Sequence, residues 1–381
     1  MRRILKWTLI GFAVVFVLVA IQIVRRLEAL GQFTSIEKVS PGSCRIIAGP
    51  PGVEDIQVDH AARIAFLSSD DRRAAMAGTP VNGGIFALPI DAPDTTPRLL
   101  TGVASGTPAI FHPHGISLYV APDGTRTLMV INHQNAGEMV AESATQSVEV
   151  FAVTGTGDTL ALTHRRTVHD ADMIAPNDLV AVSPDSFYVT NMVGSRSGLG
   201  VAMEGLFGLK RSYVLYFDGT KTNRAVEDLS YANGINVSAD GATLYVAEAL
   251  GRRLSAYARN TETGALNLKQ DGFFGTGLDN IDIAPDGALW IGAHPRMGDF
   301  LLHANDASNL SPSQILRIEP QAGGAARTLY TDDGAQISAV SAAVTFEGTD
   351  GVQRFLAGAV FEPKLLLCDW TAPTPPGPPP A

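Results

Sequence analysis

The sequence predicts an all-β protein, a six-bladed β-propeller closed around a central tunnel, with a hydrophobic helix ahead of it. A short phrase of apolar run, tight turn and second apolar run recurs along the chain. It reads HGISLYVAPDG from His114, NDLVAVSPD from Asn177, NGINVSADG from Asn233 and DNIDIAPDG from Asp279, with looser copies from Glu54 and Ser341. The runs are too short for helices and rich in Ile, Val and Leu, and Asp-Gly supplies the positive-φ positions of a hairpin turn. Between the copies lies a second family of alternating segments across Gly-, Asp- and Thr-rich turns, such as GIFALPIDAPDTTPRLL from Gly84 and SYVLYFDGTKTNRAVEDL from Ser212. Together they give about four strands per unit at a period near ~50 residues, which describes blades sharing a core only with their neighbours.

The elements follow in order. Residues 1–30 hold an uncharged stretch from Trp7 to Val24, framed by Arg2, Arg3 and Lys6 before it and Arg25 and Arg26 after it. That length suits a bilayer crossing. A retained anchor, a cleaved signal peptide and, last, a merely buried helix are the readings, and the lack of an A-x-A-like site favours the anchor. With basic residues on both flanks, the positive-inside rule leans to a cytoplasmic N-terminus, a periplasmic or extracellular propeller, and membrane lipid as a partner of the helix.

The propeller is expected over residues 40–370. Its two cysteines, Cys44 and Cys368, lie at opposite ends of the array in CRIIAG and KLLLCDW. In an exported chain such a pair reads as a disulfide tying the first strand into the last blade; two unrelated buried thiols are the other reading. One insertion breaks the rhythm between Asn191 and Tyr213, with Leu199, Val201, Met203, Leu206 and Phe207 forming an amphipathic patch. It reads as a lid or membrane-touching helix, or as an ordinary connecting helix packed on the propeller face. The tail 371–381, TAPTPPGPPPA, is Pro-rich and expected to be extended and disordered.

Only 17% of residues are charged and the net charge is −10, so a nucleic-acid partner has no electrostatic support, while a cation does. The phase of the repeats points the same way, because stacked copies bring their leading residues to the same end of equivalent strands. Glu54, Asn177, Asn233, Asp279 and Asn280 then present oxygens alone, two of them anionic, to one tunnel. A single Asp or Asn at a strand start ordinarily caps a turn; five in one phase match a hard divalent ion such as Ca²⁺. Zinc is disfavoured without Cys or a tight His pair. In the pairs Glu54-Asp55 and Asn177-Asp178, side chains on an extended strand alternate, so Asp55 and Asp178 are expected to face a second position, giving two ions.

His114 opens one inner strand and His133 closes its hairpin partner, which makes them cross-strand neighbours able to act as a base and its proton partner. His294 ends a strand of another blade, where it shapes the pocket or bonds the backbone, while His112, His164, His169 and His303 read as loop residues without a role. No G-x-S-x-G elbow and no phosphate-cradling loop is present, which leaves metal-assisted hydrolysis as the chemistry.

These segments resemble the paraoxonase/arylesterase family of calcium-dependent lactonases from Cys44 to Cys368. The resemblance rests on FHPHGIS at Phe111, VINH ending at His133, APNDLVAV at Ala175, YANGINVS at Tyr231, LDNIDIAPDG at Leu278 and IGAHP ending at Pro295. It implies a catalytic calcium on Glu54, Asn177, Asn233, Asp279 and Asn280, and a structural calcium on Asp55, Asp178 and the carbonyl of Ile116. It also implies a catalytic dyad of His114 and His133, with Asp279 a rival base or nucleophile, and fits the Cys44–Cys368 disulfide and the uncleaved N-terminus. Ala293 stands where animal members carry a free cysteine, so thiol chemistry does not transfer, and the insertion lacks their aromatic richness. The expected substrate is a small lactone or aryl ester, with weaker phosphotriester turnover. A sugar-lactone hydrolase of the gluconolactonase kind and a non-catalytic anchored propeller are the alternatives.

Overall fold

The computed structural model describes residues 2–135, 146–320 and 324–371. The tail expected to be disordered lies, from residue 372 onward, outside these. Helix α1 (Arg2–Ala29) comes first. It is followed by β1 (Cys44–Ala48) and the strands after it, which together form six four-stranded antiparallel sheets. The first blade is β2 (Val53–Asp59), β3 (Ile64–Ser69), β4 (Gly84–Pro89) and β5 (Arg98–Leu99), with the short helix α2 (Arg72–Met76) between β3 and β4. The second is β6 (Pro113–Val120), β7 (Arg126–Asn132), β8 (Ser147–Thr154) and β9 (Ala161–His169). The third is β10 (Pro176–Ala181), β11 (Phe187–Asn191), β12 (Ser212–Phe217) and β13 (Thr222–Leu229), with α3 (Gly198–Phe207) between β11 and β12. The fourth runs through β14 (Ala232–Val237), β15 (Thr243–Glu248), β16 (Arg253–Arg259) and β17 (Leu266–Phe273). The fifth has β18 (Gly277–Ile283), β19 (Leu289–His294), β20 (Ser313–Glu319) and β21 (Ala325–Asp332), with α4 (Met297–Asn305) after β19. In the sixth, β22 (Val340–Glu347), β23 (Gln353–Ala359) and β24 (Lys364–Asp369) take β1 as the outermost strand.

The innermost strands touch in circular succession, β2 to β6, β10, β14, β18 and β22 and back to β2, so the chain is a six-bladed propeller. Closure occurs as the sequence predicts: Cys44 sits opposite Cys368 in the β1–β24 ladder, and a disulfide joins them across 324 residues. The recurring turn is also as read. In the fifth blade Gly287 takes φ 82°, its N–H donates to Ala284 O at 2.8 Å, and Asp286 Oδ1 accepts from Ala288 N at 3.0 Å.

The core lies between blades. Met129, Ile131 and Val148 of the second blade pack on Leu179, Phe187 and Val189 of the third. Trp290 of the fifth is fully buried against Phe355 and Trp370 of the sixth. Each blade therefore needs both neighbours to bury its faces, and the radial stack holds the strand ends in one plane.

Three helices, α2, α3 and α4, gather at one end of the propeller, where they line one cavity. The N-cap Asp71 of α2 accepts from Ala74 N at 3.0 Å, and the N-cap Ser197 of α3 accepts from Gly200 N at 3.2 Å. The expected helix in the insertion is thus present, whereas α2 and α4 carried no sequence expectation. Helix α1 is exposed along its apolar length and is wired to the same end by Gln22 Nε2 to Leu206 O at 3.2 Å, Met297 N to Leu30 O at 3.0 Å, and Gln32 Nε2 to Asp299 Oδ1 at 2.6 Å.

Candidate active site

Each inner strand slips register near its start: between Val53 and Asp55, Pro113 and Ile116, Pro176 and Leu179, Ala232 and Ile235, Leu278 and Ile281, and Val340 and Ala342. A bulge takes residues out of the ladder and re-aims their side chains. The slipped segments are the ones that carry Glu54, His114, Asn177, Asn233 and Asp279, and all five line one cavity of about 470 Å³. Strand alternation alone does not separate the two predicted positions, because the bulges interrupt it.

Sequence also requires glycine at two of these bulges. A Cβ on Gly234 would stand 2.3 Å from Asp279 O, and one on Gly115 would stand 2.6 Å from Asn177 O. Neighbouring inner strands close to backbone contact there, which no larger residue permits. Gly234→Ala is expected to cost about 1–3 kcal/mol of stability and to weaken divalent-ion binding by pushing Asn233 away from Asp279; denaturant titration together with ion-binding calorimetry checks both effects.

The five residues predicted to hold the first ion each keep one buried oxygen without a hydrogen-bond partner: Glu54 Oε2, Asn177 Oδ1, Asn233 Oδ1, Asp279 Oδ1 and Asn280 Oδ1. In four of the five the other side-chain polar atom is engaged. Asn280 Nδ2 donates to Glu54 O and Oε1, both at 2.9 Å, and Asn177 Nδ2 lies 3.1 Å from His114 Nε2 and 3.2 Å from Met192 Sδ. Asp279 Oδ2 accepts from His294 Nε2 at 2.6 Å. Buried orphan acceptors are costly and rare; four of these residues line the one cavity, while Asn280 does not line it and is tied to Glu54, and five such oxygens, two from carboxylates, fit a hard oxygen-seeking cation. No group of three or more His, Cys, Asp or Glu side chains set for a metal lies among the described residues, in keeping with a donor set in which three of the five are amides.

Charge repulsion makes the same demand. Glu54 is pushed up to about 8 by burial and by the Asp279 carboxylate. Asp55 is raised well above the ordinary carboxylate range by burial, then by Asp178, and burial raises Asp178 likewise. Asp55 and Asp178 do not line the cavity. Asp55 accepts from Ile56 N and Ile116 N, both at 2.7 Å, and Asp178 from Leu179 N at 2.7 Å and Ile235 N at 2.9 Å. Two buried carboxylates that repel each other, with lone pairs to spare, suit the second predicted position, and Ile116 lies beside them.

His114 and His133 come together as expected, with ring centroids 4.6 Å apart and planes at 28°. Arg72 on α2 donates to His114 Nδ1 at 3.0 Å and to Pro113 O at 3.2 Å, while its other amino group reaches Gly52 O at 3.0 Å. Burial, then this guanidinium, holds the His114 imidazole well below its ordinary value. Burial takes His133 down to about 4, against a 2.7 Å contact from its Nε2 to Pro176 O. Both rings are therefore neutral at physiological pH. Of the two readings open for His294, the structure selects the pocket: it bonds Asp279 and packs on Phe300.

Some sequence expectations need correction. His164 and His169 are strand residues of β9, not loop residues, and His303 lies in α4, bonded to Asn309 O at 2.6 Å. His164 pairs with the buried Glu149 at 2.8 Å, a satisfied structural contact. His112 is a wall of the active-site cavity, as are Asp70, Arg72 and Tyr231, none of which sequence singled out. Tyr231 sits at φ 62° one strand-start before Asn233, and burial beside Asp279 raises its hydroxyl, which stays protonated.

A family model described as Arylesterase matches residues 35–370. Serum paraoxonase/arylesterase 1 of Homo sapiens is 29% identical over 355 residues, covering 90% of this chain and 92% of the human protein. Serum paraoxonase/arylesterase 2 of Gallus gallus is 28% identical over 381 residues, covering 97% of this chain and 100% of the chicken protein. Among solved structures, a calcium-binding regucalcin from Agrobacterium tumefaciens matches with a TM-score of 0.51 at 15% identity, over 87% of this chain and 95% of that one, a likeness of fold. With a family model spanning nearly the whole propeller and the quoted segments in place around its tunnel, the chain belongs to the arylesterase family.

Proposed function

We propose that this chain is a calcium-dependent hydrolase of lactones and aryl esters. Membership of the arylesterase family, in which relatives are named arylesterase and lactonase, supports hydrolysis of an ester bond. The observation that carries the calcium requirement is the set of five orphaned oxygens on Glu54, Asn177, Asn233, Asp279 and Asn280. These residues would hold one ion, and Asp55, Asp178 and the carbonyl of Ile116 a second. When bound, calcium supplies the charge that polarises a scissile carbonyl.

The protein's own groups do the rest. The cavity excludes water from one side of the substrate with apolar walls such as Met76, Val201, Phe300 and Phe361. His114, backed by His133, presents Nε2 3.7 Å from Glu54 Oε1; as first candidate to take a proton from the attacking water it needs its ring proton on Nδ1, which requires Arg72 to turn away from that nitrogen, and Asp279, fixed by His294, is the second candidate for that role. Helix α1, whose span Lys6–Ala29 is long and apolar enough to cross a membrane, supports anchoring to lipid. The exposed Leu199, Met203 and Phe207 of α3 lie beside it at the cavity end. We place the propeller on the extracytoplasmic side, where its disulfide persists.

The test is turnover of phenyl acetate, δ-valerolactone, a long-chain acyl lactone and gluconolactone, with calcium and after chelation. Chelator-sensitive turnover of the first three above gluconolactone supports the proposal; its absence for every lactone and ester overturns it. His114→Gln is expected to lower lactonase kcat about 10²-fold or more while leaving calcium affinity within about two-fold by calorimetry. Survival of turnover in that variant assigns the base to Asp279.

A further inference from the structure

Two acceptors on residues of the cavity wall are unused by the hydrolytic reading. His112 is 5% exposed and forms part of the cavity wall two residues before His114. Its Nδ1–H donates to Asp70 Oδ1 at 2.9 Å, and Asp70 is itself 5% exposed. That bond fixes the tautomer: with the proton on Nδ1, the opposite nitrogen Nε2 carries a lone pair, and it has no partner among the described residues. The second acceptor is on α3. Glu204 lines the same cavity at 7% exposure; Gly194 N donates to its Oε2 at 3.1 Å, while Oε1 has no partner. The Arg72 guanidinium of the same cavity wall spends its amino groups on Gly52 O, Val360 O, Pro113 O and His114. Around these two acceptors the walls are mostly apolar, with Ala75, Met76, Val201 and Leu301 among them.

We propose that the Asp70–His112 pair is a substrate-recognition site that accepts a hydrogen bond from an N–H or O–H group on the lactone, between its ring and an apolar chain. The proposal rests on the hydrolase reading and adds to it the residues that would read one donor beside the lactone ring. A site built to accept a substrate hydrogen disfavours the analogue lacking it, because the acceptor is then covered by the ligand and left unpaired. Asp70 acts as a positioning residue, holding the imidazole so that its lone pair is the one presented.

The test compares α-decanoylamino-γ-butyrolactone with its N-methyl analogue on the full-length calcium-loaded protein. The wild-type chain is expected to prefer the N–H substrate by about ten-fold or more in kcat/KM, chiefly through KM. His112→Phe and Asp70→Ala are expected to bring that ratio close to unity, and His112→Gln, which keeps an acceptor, to restore part of it. A merely structural role would lower both substrates together and leave the ratio intact, which would overturn the proposal, as would a wild-type ratio near unity. The corresponding pair of non-hydrolysable lactams, measured by calorimetry, separates the two readings: absence of turnover with a preserved N–H preference in binding sinks the hydrolase assignment alone, and equal binding of the two lactams sinks the recognition site.

Discussion

Asp279→Ala is expected to lower lactone turnover by about a thousand-fold or more, measured at saturating calcium. The residue meets three requirements at once. It supplies one of two carboxylates among the five orphaned oxygens, it anchors His294 through a 2.6 Å bond, and its charge raises Glu54. Removing it leaves a single anionic ligand, a freed imidazole and three amides, a set too weakly charged for tight calcium. The same substitution relieves the repulsion on Glu54, so the variant is expected to be no less stable than the wild type when both are chelated. Loss of activity without loss of metal-free stability separates a functional carboxylate from a structural one. Asp279→Asn, which keeps the shape and one oxygen, should fall between the two. Turnover within ten-fold of wild type for the alanine variant would remove Asp279 from the site.

Chelation should destabilise the propeller, and more so as pH rises. In the metal-free fold Glu54 titrates at about 8 and Asp55 and Asp178 well above their ordinary range. The folded chain then holds protons that the unfolded chain has already released, so the stability these groups contribute is fully present below the unfolded carboxylate values. It is lost as pH rises from there through the folded values. The chelated protein should therefore melt at least roughly 5 °C lower at pH 8 than at pH 5. With calcium the slope reverses, because the ion favours the ionised carboxylates and protons compete with it, and added calcium raises the melting temperature with concentration. A chelated protein whose melting temperature is flat across this range would show that these carboxylates do not repel one another in the fold.

The propeller was legible in the sequence because its determinants are local. Asp-Gly turns such as Asp286-Gly287 fix hairpins within ten residues, and repetition does the rest. That Glu54, Asn177, Asn233 and Asp279 share one cavity was legible through phase, since equivalent positions in stacked blades lie at one end of the propeller; Asn280 does not line it. The bulges were not, because register belongs to a pair of strands; their trace was the glycine after His114 and after Asn233, which marks backbone contact between blades. Arg72 and Asp70 escaped notice for a related reason. They belong to the segment after β3 in the first blade, and their partners His114 and His112 lie 42 residues on in the second. Helix α4 was missed because MGDFLLHAN carries no N-cap bond and begins directly after the strand bearing His294.

Calcium stoichiometry measured by equilibrium dialysis, with lactone turnover followed in the same samples, tests the central claim most directly. The wild-type chain is expected to bind two ions, with turnover tracking the site built on the five oxygens. Asn233→Leu, which removes one of those oxygens without touching Asp55 or Asp178, should retain one tight ion and lose turnover. A chain that binds no calcium, or one that hydrolyses lactones at full rate when stripped of it, would contradict the account.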